Sequence, residues 1–507
     1  MKILRQSTEA DIGLLLEGTY PYVSGGVSSW IAQMLRGFPQ YRFALCFLGS
    51  REEDYGDLRY TLPDHVVHCE VHYLHQHKVA SRASKHREKS NPDVVSCLRH
   101  MHASFRQGDL AGDDLQQLMQ FQIEGRHNER DLTETLDAWN FITENYRQYC
   151  TDPSFVDYFW TVRIMHQPLW LLMDIVKQFP RIRLLHTIST GYAGFLGALL
   201  KQQRRCPLIL SEHGIYTKER KIDLFQAQWI KDNRGVLEKD TTDIAYFRQM
   251  WIRFFEALGR ECYGQSDHIV ALYEANRLRQ IQDGAPADRT QNIPNGIDLA
   301  KLAPLVQLRH AEIPAIICLI GRVVPIKDIK TFIRAMRTVA NHMPEVQAWI
   351  AGPEEEDPQY ALECHQLAAG LGLSDTVKFL GFQRIDALLP RVGLIVLSSI
   401  SEALPLVLLE GFAAGVPCVA TDVGSCRQLI EGLGPEDRDL GHAGRVVGIA
   451  DPASLAQACI ELLSAPEAWN QAQQAGQQRV AQFYTQDMMI SAYQQLYEQT
   501  LESSWQA

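Results

Sequence analysis

Several common features are missing from this 507-residue chain, and each absence narrows what it can be. The eleven cysteines are odd in number, scattered and without a Cys-x-x-Cys, which fits reduced thiols in a cytosolic protein better than a disulfide framework. No apolar run reaches bilayer-spanning length, since "LWLLMDIV" and "GFLGALL" are far too short. The start, "MKILRQSTEADIGLLLEG", turns polar after four residues, so no secretory signal is expected. Positive charge is also short: 49 Lys and Arg stand against 60 Asp and Glu, a net charge of −11, whereas a nucleic-acid binder needs a basic footprint. A local basic patch stays compatible with that balance. The expectation is a cytoplasmic protein without a transmembrane segment and without a nucleic-acid partner.

What is present belongs to a globular chain of more than one domain, with 46% hydrophobic and 9% aromatic residues. In the second half, short β-rich runs recur: "AIICLIG" (315–321), "VQAWIAG" (346–352), "TVKFLG" (376–381), "LIVLSS" (394–399) and "PCVATD" (417–422). Helix-like segments such as "DIKTFIRAMRTVANH" separate most of them. Apolar runs without alternation read as parallel strands buried on both faces, hence a doubly wound α/β domain. The first half has the same grammar in "DIGLLLEG" (11–18), "RFALCFLG" (42–49), "IRLLHTIS" (182–189), "PLILSEHG" (207–214) and "HIVALYE" (268–274). About 50–181 is polar, His-rich and helix-prone, and reads as an insertion into the first sheet. "QNIPNGIDLAKLAP" marks the join. The expected architecture is two Rossmann-like doubly wound domains facing across a cleft, 1–294 and 295–482, with 483–507 a terminal helix packing back on the first.

Four motifs carry the candidate chemistry. In "EGTYPYVSGGVSSW", Gly25 and Gly26 follow the first strand and precede a helix; they serve either a tight turn or the approach of a phosphate to free N–H groups. The loop is neither G-x-G-x-x-G nor a Walker loop, which counts against a dinucleotide oxidoreductase or an NTPase. In "IGRVVPIKDIKTF", Arg322 and Lys327 follow the first strand of the second domain, at the edge where open α/β sheets bind ligands. A cation at a helix start conflicts with the dipole unless an anion joins it, such as a diphosphate, or Asp328 neutralises it on the surface. In "SISEALPLVLLEGFAAGVPCVATDVGS", Glu402 precedes a buried helix and Glu410 lies within it, about two turns from its start. A carboxylate can accept vicinal sugar hydroxyls; the plainer reading is one capping Glu and one salt-bridged Glu. Finally, "DHVVHCEVHYLHQHK" places His65, His68, His72 and His75 on one face if helical, a zinc-binding spacing, with His77 and Cys69 nearby. The alternation of His68, Glu70 and His72 suits instead a strand with one solvated face. The basic run Lys78, Arg82, Lys85, Arg87 and Lys89 reads as a solvated surface or a contact for anionic lipid or a partner. Asp437 and Asp439 form a D-x-D in a polar loop and read as incidental.

Together, the Gly-Gly loop, Arg-x4-Lys after a strand and Glu-x7-Glu, in that order, resemble the retaining GT-B glycosyltransferases of the glycogen synthase and mannosyltransferase type, family four. "EGTYPYVSGGVSSW", "LSEHGIYTKER" and the long insertion are similar, more narrowly, to the cytosolic glycosyltransferases of Pel exopolysaccharide synthesis. The resemblance implies a metal-independent, retaining hexosyltransferase that uses a nucleotide sugar, a UDP-sugar, on a carbohydrate acceptor. It implies that Glu402 lies beside the donor sugar, Glu410 holds the ribose, Arg322 and Lys327 bind the diphosphate, and Gly25 and Gly26 approach the same phosphates. His213 matches a first-domain histidine near the sugar; His186, ending a neighbouring strand, reads as a satisfied core histidine. Peripheral association with an inner-membrane polysaccharide synthase complex is a further expectation. The alternatives are a non-catalytic nucleotide-binding scaffold of such a complex, or a GT-B-fold sugar-nucleotide epimerase, which would need further acid/base carboxylates around the sugar.

Overall fold

The structure, a computed structural model, describes residues 2–75, 91–110, 112–125, 135–150, 154–226, 246–309 and 312–503. The chain divides into two compact units. One holds residues 1–271, 277–291 and 494–507, the other 272–276 and 292–493.

Among the described residues, the first unit is built on an eight-stranded sheet. Its strands are β1 (Lys2–Arg5), β2 (Glu9–Glu17), β3 (Phe43–Gly49), β4 (Val66–Tyr73), β5 (Arg181–Thr187), β6 (Leu208–Glu212), β7 (His268–Ala271) and β8 (Thr290–Asn292), in the order β1-β4-β3-β2-β5-β6-β7-β8. Strands β2 to β7 pair in parallel and β1 runs antiparallel to β4. Every residue of β3 is buried, as its unbroken apolar run requires of a strand covered on both faces. The order runs outward from β2 in one direction and from β5 in the other, so the β2–β5 boundary is a topological switch point, the place where open α/β sheets take ligands.

The insertion differs from the sequence reading in one respect. Within 50–181, Val66–Tyr73 is a strand of the sheet itself, in parallel register with β3, so the helical insertion begins only after it. The helices Pro92–Gln107, Gly112–Ile123, Leu136–Tyr149 and Phe155–Gln178 then lie between β4 and β5. Three of these four start where the sequence supplies caps: the Asn91, Thr135 and Ser154 side chains accept from Asp93, Ala138 and Asp157 amides. Their apolar faces, including Leu98, Met101, Phe105, Phe141, Val162 and Leu169, share a core with Ala44, Cys46 and Leu48 of β3. That cover explains a second correction. His68, Glu70 and His72 do alternate along a strand, but their face is buried, not solvated. The helical His65–His75 spacing does not exist, and His77 and the basic run of 78–89 lie outside the described residues.

The second unit carries six parallel strands: β9 (Ile316–Ile320), β10 (Gln347–Ala351), β11 (Val377–Gly381), β12 (Leu394–Leu397), β13 (Cys418–Thr421) and β14 (Gly444–Val447), ordered β11-β10-β9-β12-β13-β14. Its switch point falls between β9 and β12. Helices Ile329–His342, Pro358–Gly370 and Pro452–Ser464 begin at aspartate caps, Asp328, Asp357 and Asp451, and the last two carry proline in the first turn, where its missing N–H costs nothing.

The incidental reading of Asp437 is overturned. It is buried, its Oδ1 accepts from Arg479 Nε, and its Oδ2 accepts from the Leu433 amide at 2.9 Å. Arg479 is fully buried and also donates to the carbonyls of Ile430, Asp437 and Gly441. Asp439 is exposed, so the D-x-D is a structural clamp rather than a metal pair.

Candidate functional site

At the switch point of the second sheet, the chain leaves β9 through Gly321 and Arg322, makes a tight turn at Pro325–Lys327, and enters the Ile329–His342 helix. Glycine is needed opposite this loop: a Cβ on Gly352, at the end of β10, would lie 1.9 Å from the Gly321 carbonyl oxygen. Asp328 does not pair with Lys327. It sits in the left-handed region (φ 43°) and caps the helix through the Thr331 amide. Lys327 turns to the loop after β12, where its Nζ meets Glu402 Oε1 at 2.5 Å; the same oxygen accepts from Ser399 Oγ at 2.6 Å.

Residues that the sequence did not single out hold this pair. Ser398 Oγ donates to the carbonyls of Lys327 and Asp328, the Ile400 amide donates to Ile326 O, and Thr421 Oγ1 donates to Ser399 O. Gly424, at φ 56°, underlies the Glu402 loop: a Cβ there would lie 2.4 Å from the Glu402 and Ala403 carbonyl oxygens. The two loops are thus stitched together by backbone and hydroxyl groups, with the ion pair on top.

Glu410 lies in the helix Leu406–Ala413, four residues after its first residue and so just over one turn in, not two. Among the described residues its carboxylate has no hydrogen-bond or ion-pair partner, and burial pushes it up to about 7, with only the charge of Lys301 opposing. Arg322 pairs with Glu356 at 2.5 Å, but both are half exposed, so the contact is worth little and easily exchanged. Neither the capping nor the salt-bridge reading of Glu410 therefore holds, while Glu402 is salt-bridged to the cation the sequence had placed beside a phosphate.

In the first unit, Gly25 caps the helix Gly26–Gly37 in extended conformation, and a Cβ on either glycine would meet nothing within 4 Å. The space beside these amides is open. His213 follows β6 with its ring edge-on to Trp30 at 4.6 Å; its Nε2 is buried without a hydrogen-bond partner among the described residues, and burial draws its pKa down to about 4. In the neutral imidazole this nitrogen can donate or accept one hydrogen bond, according to the tautomer. His186 is a satisfied core histidine, between Tyr497 Oη at 2.7 Å and Ser211 Oγ at 2.8 Å. Unpredicted companions appear at the β2 and β6 ends. Glu17 accepts from the Ala193 amide and from Tyr216 Oη, with Arg220 at 3.7 Å, and a Cβ on Gly191 would collide with the Tyr216 ring. Glu212 is buried, taking hydrogen bonds from Thr190, Tyr216, Tyr263 and Gln280, and so fixes the backbone that carries His213. Only the position of Glu17 and Glu212 at strand ends could have signalled them.

Comparison with known families matches residues 10–288 to the family described as a domain of unknown function, DUF3492, and residues 314–465 to glycosyl transferases group 1. The chain belongs to the DUF3492 family. The chain is 29% identical over 263 residues to the D-inositol 3-phosphate glycosyltransferase of Geodermatophilus obscurus, covering 48% of this chain and 56% of that one. It is 31% identical over 137 residues to the N-acetyl-alpha-D-glucosaminyl L-malate synthase of Bacillus anthracis, covering 27% and 34%. The chain spans about half the length of the curated relatives it matches. Among solved structures it resembles Anabaena Alr3699/HepE in complex with UDP and glucose (TM-score 0.58, 16% identity, 96% and 99% of the two chains) and the sucrose-phosphate synthase tll1590 of Thermosynechococcus elongatus (0.56, 16%, 97% and 100%). The DUF3492 chain therefore has the GT-B fold, two Rossmann-like units of parallel sheet.

Proposed function

We propose that this DUF3492 protein is a retaining glycosyltransferase that moves a hexose from a UDP-sugar to a growing exopolysaccharide of Pel type. The observation that carries the reading is the Lys327–Glu402 pair at the switch point of a segment that matches group 1 glycosyl transferases, with a half-buried Glu410, partnerless among the described residues, on the helix that follows. Departure of a nucleoside diphosphate builds negative charge on phosphate oxygens, and Lys327, Arg322 and nearby backbone N–H groups stabilise that charge, so no divalent metal is required. Glu402 stands beside the departing sugar, where positive charge develops. Glu410 accepts the ribose hydroxyls, which supply the partners its carboxylate lacks. No covalent nucleophile is required if the acceptor attacks the face the leaving group departs from. Gly25 and Gly26 take part in phosphate binding and His213 in sugar binding, roles that rest on the resemblance.

The UDP preference draws support from the HepE complex with UDP and glucose. The Pel assignment rests on the likeness of "EGTYPYVSGGVSSW" and "LSEHGIYTKER" to PelF, the cytosolic glycosyltransferase of Pel synthesis. With it go the proposed cytoplasmic location and association with an inner-membrane synthase complex; among the described residues no helix is long and apolar enough to cross a membrane. A thermal-shift panel of nucleotides and sugar nucleotides, followed by donor-hydrolysis assays on those that stabilise, tests the reading. Stabilisation by UDP without turnover of any donor would favour a scaffold, and turnover of the donor to an epimer would favour an epimerase.

A further inference from the structure

The histidine cluster of β4 has no part in the proposed transfer reaction, and the fold gives it a different membership from the helical spacing. Strands β3 and β4 run parallel with Cys46 beside Glu70 and Leu48 beside His72. Residues 68, 70 and 72 project from one face of β4, and register brings Cys46 to that same face. One donor atom each from Cys46, Glu70 and His72 lies within 4.8 Å of the other two, and all three residues are buried. Cys69, between His68 and Glu70 in the sequence, faces the other way.

The carboxylate at the centre is already oriented. His72 Nε2 lies 3.0 Å from Glu70 Oε1, and His68 Nε2 lies 3.1 Å from Oε2. The Ser7 amide donates to His68 Nδ1 at 3.2 Å, which leaves the His68 proton on Nε2, pointed at Glu70. His68 thus has the place of an outer-sphere histidine that fixes a metal-bound carboxylate, an arrangement that raises metal affinity by about 10- to 100-fold.

We propose that Cys46 Sγ, Glu70 Oε1 and His72 Nε2 form a binding site for a divalent zinc-like cation, with His68 as its outer-sphere partner and water in the fourth position. The donor chemistry, one thiolate, one imidazole and one carboxylate, suits zinc among the common divalent ions. Binding releases the Cys46 thiol proton to solvent and moves the His72 proton to Nδ1, leaving Nε2 free to coordinate. The thiolate and the Glu70 carboxylate then neutralise the two positive charges, so the occupied site carries no net charge into the interior. The ion would cross-link β3 to β4 beneath the helical insertion. Its role is structural, and it does not depend on the transferase reading.

Elemental analysis of the full-length protein, purified without chelator from zinc-supplemented cells, tests the site. The expected result is about one zinc per chain, lost in both Cys46→Ser and His72→Gln and held about 10- to 100-fold more weakly in His68→Gln. The metal-stripped wild type should gain melting temperature on titration with zinc alone. Wild type with no metal above background and no zinc-dependent shift overturns the proposal, as does a full equivalent of zinc retained by Cys46→Ser or His72→Gln. Should those variants fail to fold, cobalt-substituted wild type decides. A thiolate-to-cobalt charge-transfer band with intense visible bands supports the mixed thiolate, four-coordinate site; bound cobalt lacking the thiolate band rules it out.

Discussion

Lys327 Nζ and Glu402 Oε1 stand 2.5 Å apart, joining the loop after β9 to the loop after β12 across the switch point of the second sheet. Each residue lies 75 positions from the other, and neither is more than about a quarter exposed. The pair resolves the two charges that looked unsupported in the sequence, and it also couples them. A substitution of Lys327 leaves Glu402 without its cation and, on the proposed reading, also removes a cation for the diphosphate.

Replacing Arg322 or Lys327 with Ala is expected to weaken UDP binding by roughly ten- to a hundredfold, since a charge-assisted hydrogen bond is worth ~1.5–3 kcal/mol. Arg322→Ala should leave the melting temperature unchanged, because its contact with Glu356 is exposed. Lys327→Ala should lower it. Calorimetry showing unchanged UDP affinity in both variants would remove the diphosphate assignment.

The two glutamates should separate kinetically. Glu402→Gln keeps size and an acceptor oxygen but loses the charge beside the departing sugar, so kcat should fall more than donor affinity changes. Glu410→Gln should raise the donor KM with a smaller change in kcat, because ribose contacts persist through the reaction. Steady-state kinetics with directly measured donor affinity distinguish the two patterns; wild-type turnover in Glu402→Gln would exclude its catalytic role.

Glu410 should also confer a pH dependence. Its folded-state pKa is raised to about 7 by burial, above the ordinary 4.5. Between those values the folded protein holds a proton that the unfolded chain releases, so this residue's contribution to stability falls as pH rises through that window. A ribose that prefers the ionised carboxylate should bind more tightly over the same rise, by several-fold up to about tenfold between about pH 6 and pH 8. Comparing wild type with Glu410→Gln, using uridine so that phosphate titration does not intrude, should show the trend only in wild type. Equal slopes in the two proteins would place the ribose elsewhere.

If side-chain cations and backbone N–H groups meet the diphosphate as proposed, donor turnover should proceed without added magnesium or manganese. A strict requirement for either ion would count heavily against that chemistry.

The buried clamp between Arg479 and Asp437 gives a stability prediction in the second unit. Arg479→Ala takes the buried cation from Asp437 and a donor from the carbonyls of Ile430, Asp437 and Gly441, so a loss of roughly 3–5 kcal/mol is expected in denaturant titrations. A change below ~1 kcal/mol would mean that water substitutes for the guanidinium.

The parallel core strands were legible because strands buried on both faces are apolar without interruption, and "AIICLIG" or "LIVLSS" can hardly be anything else. The positions of Arg322, Lys327 and Glu402 were legible too, since each follows such a strand at its carboxyl end. Partners were not. That Lys327 turns away from Asp328 toward Glu402, and that Glu410 has no partner among the described residues, depends on loops brought together by sheet order, which linear spacing does not encode. The same limit misplaced β4: His68, Glu70 and His72 alternate as a half-solvated strand would, and only the insertion's helices, packed on that face, make it interior. Asp437 looked incidental because its partner, Arg479, lies 42 residues away on another helix. Local chemistry and periodicity determined which elements form and which ends bear charge; tertiary packing alone decided which charges meet, because burial and pairing are properties of the faces that different elements present to one another.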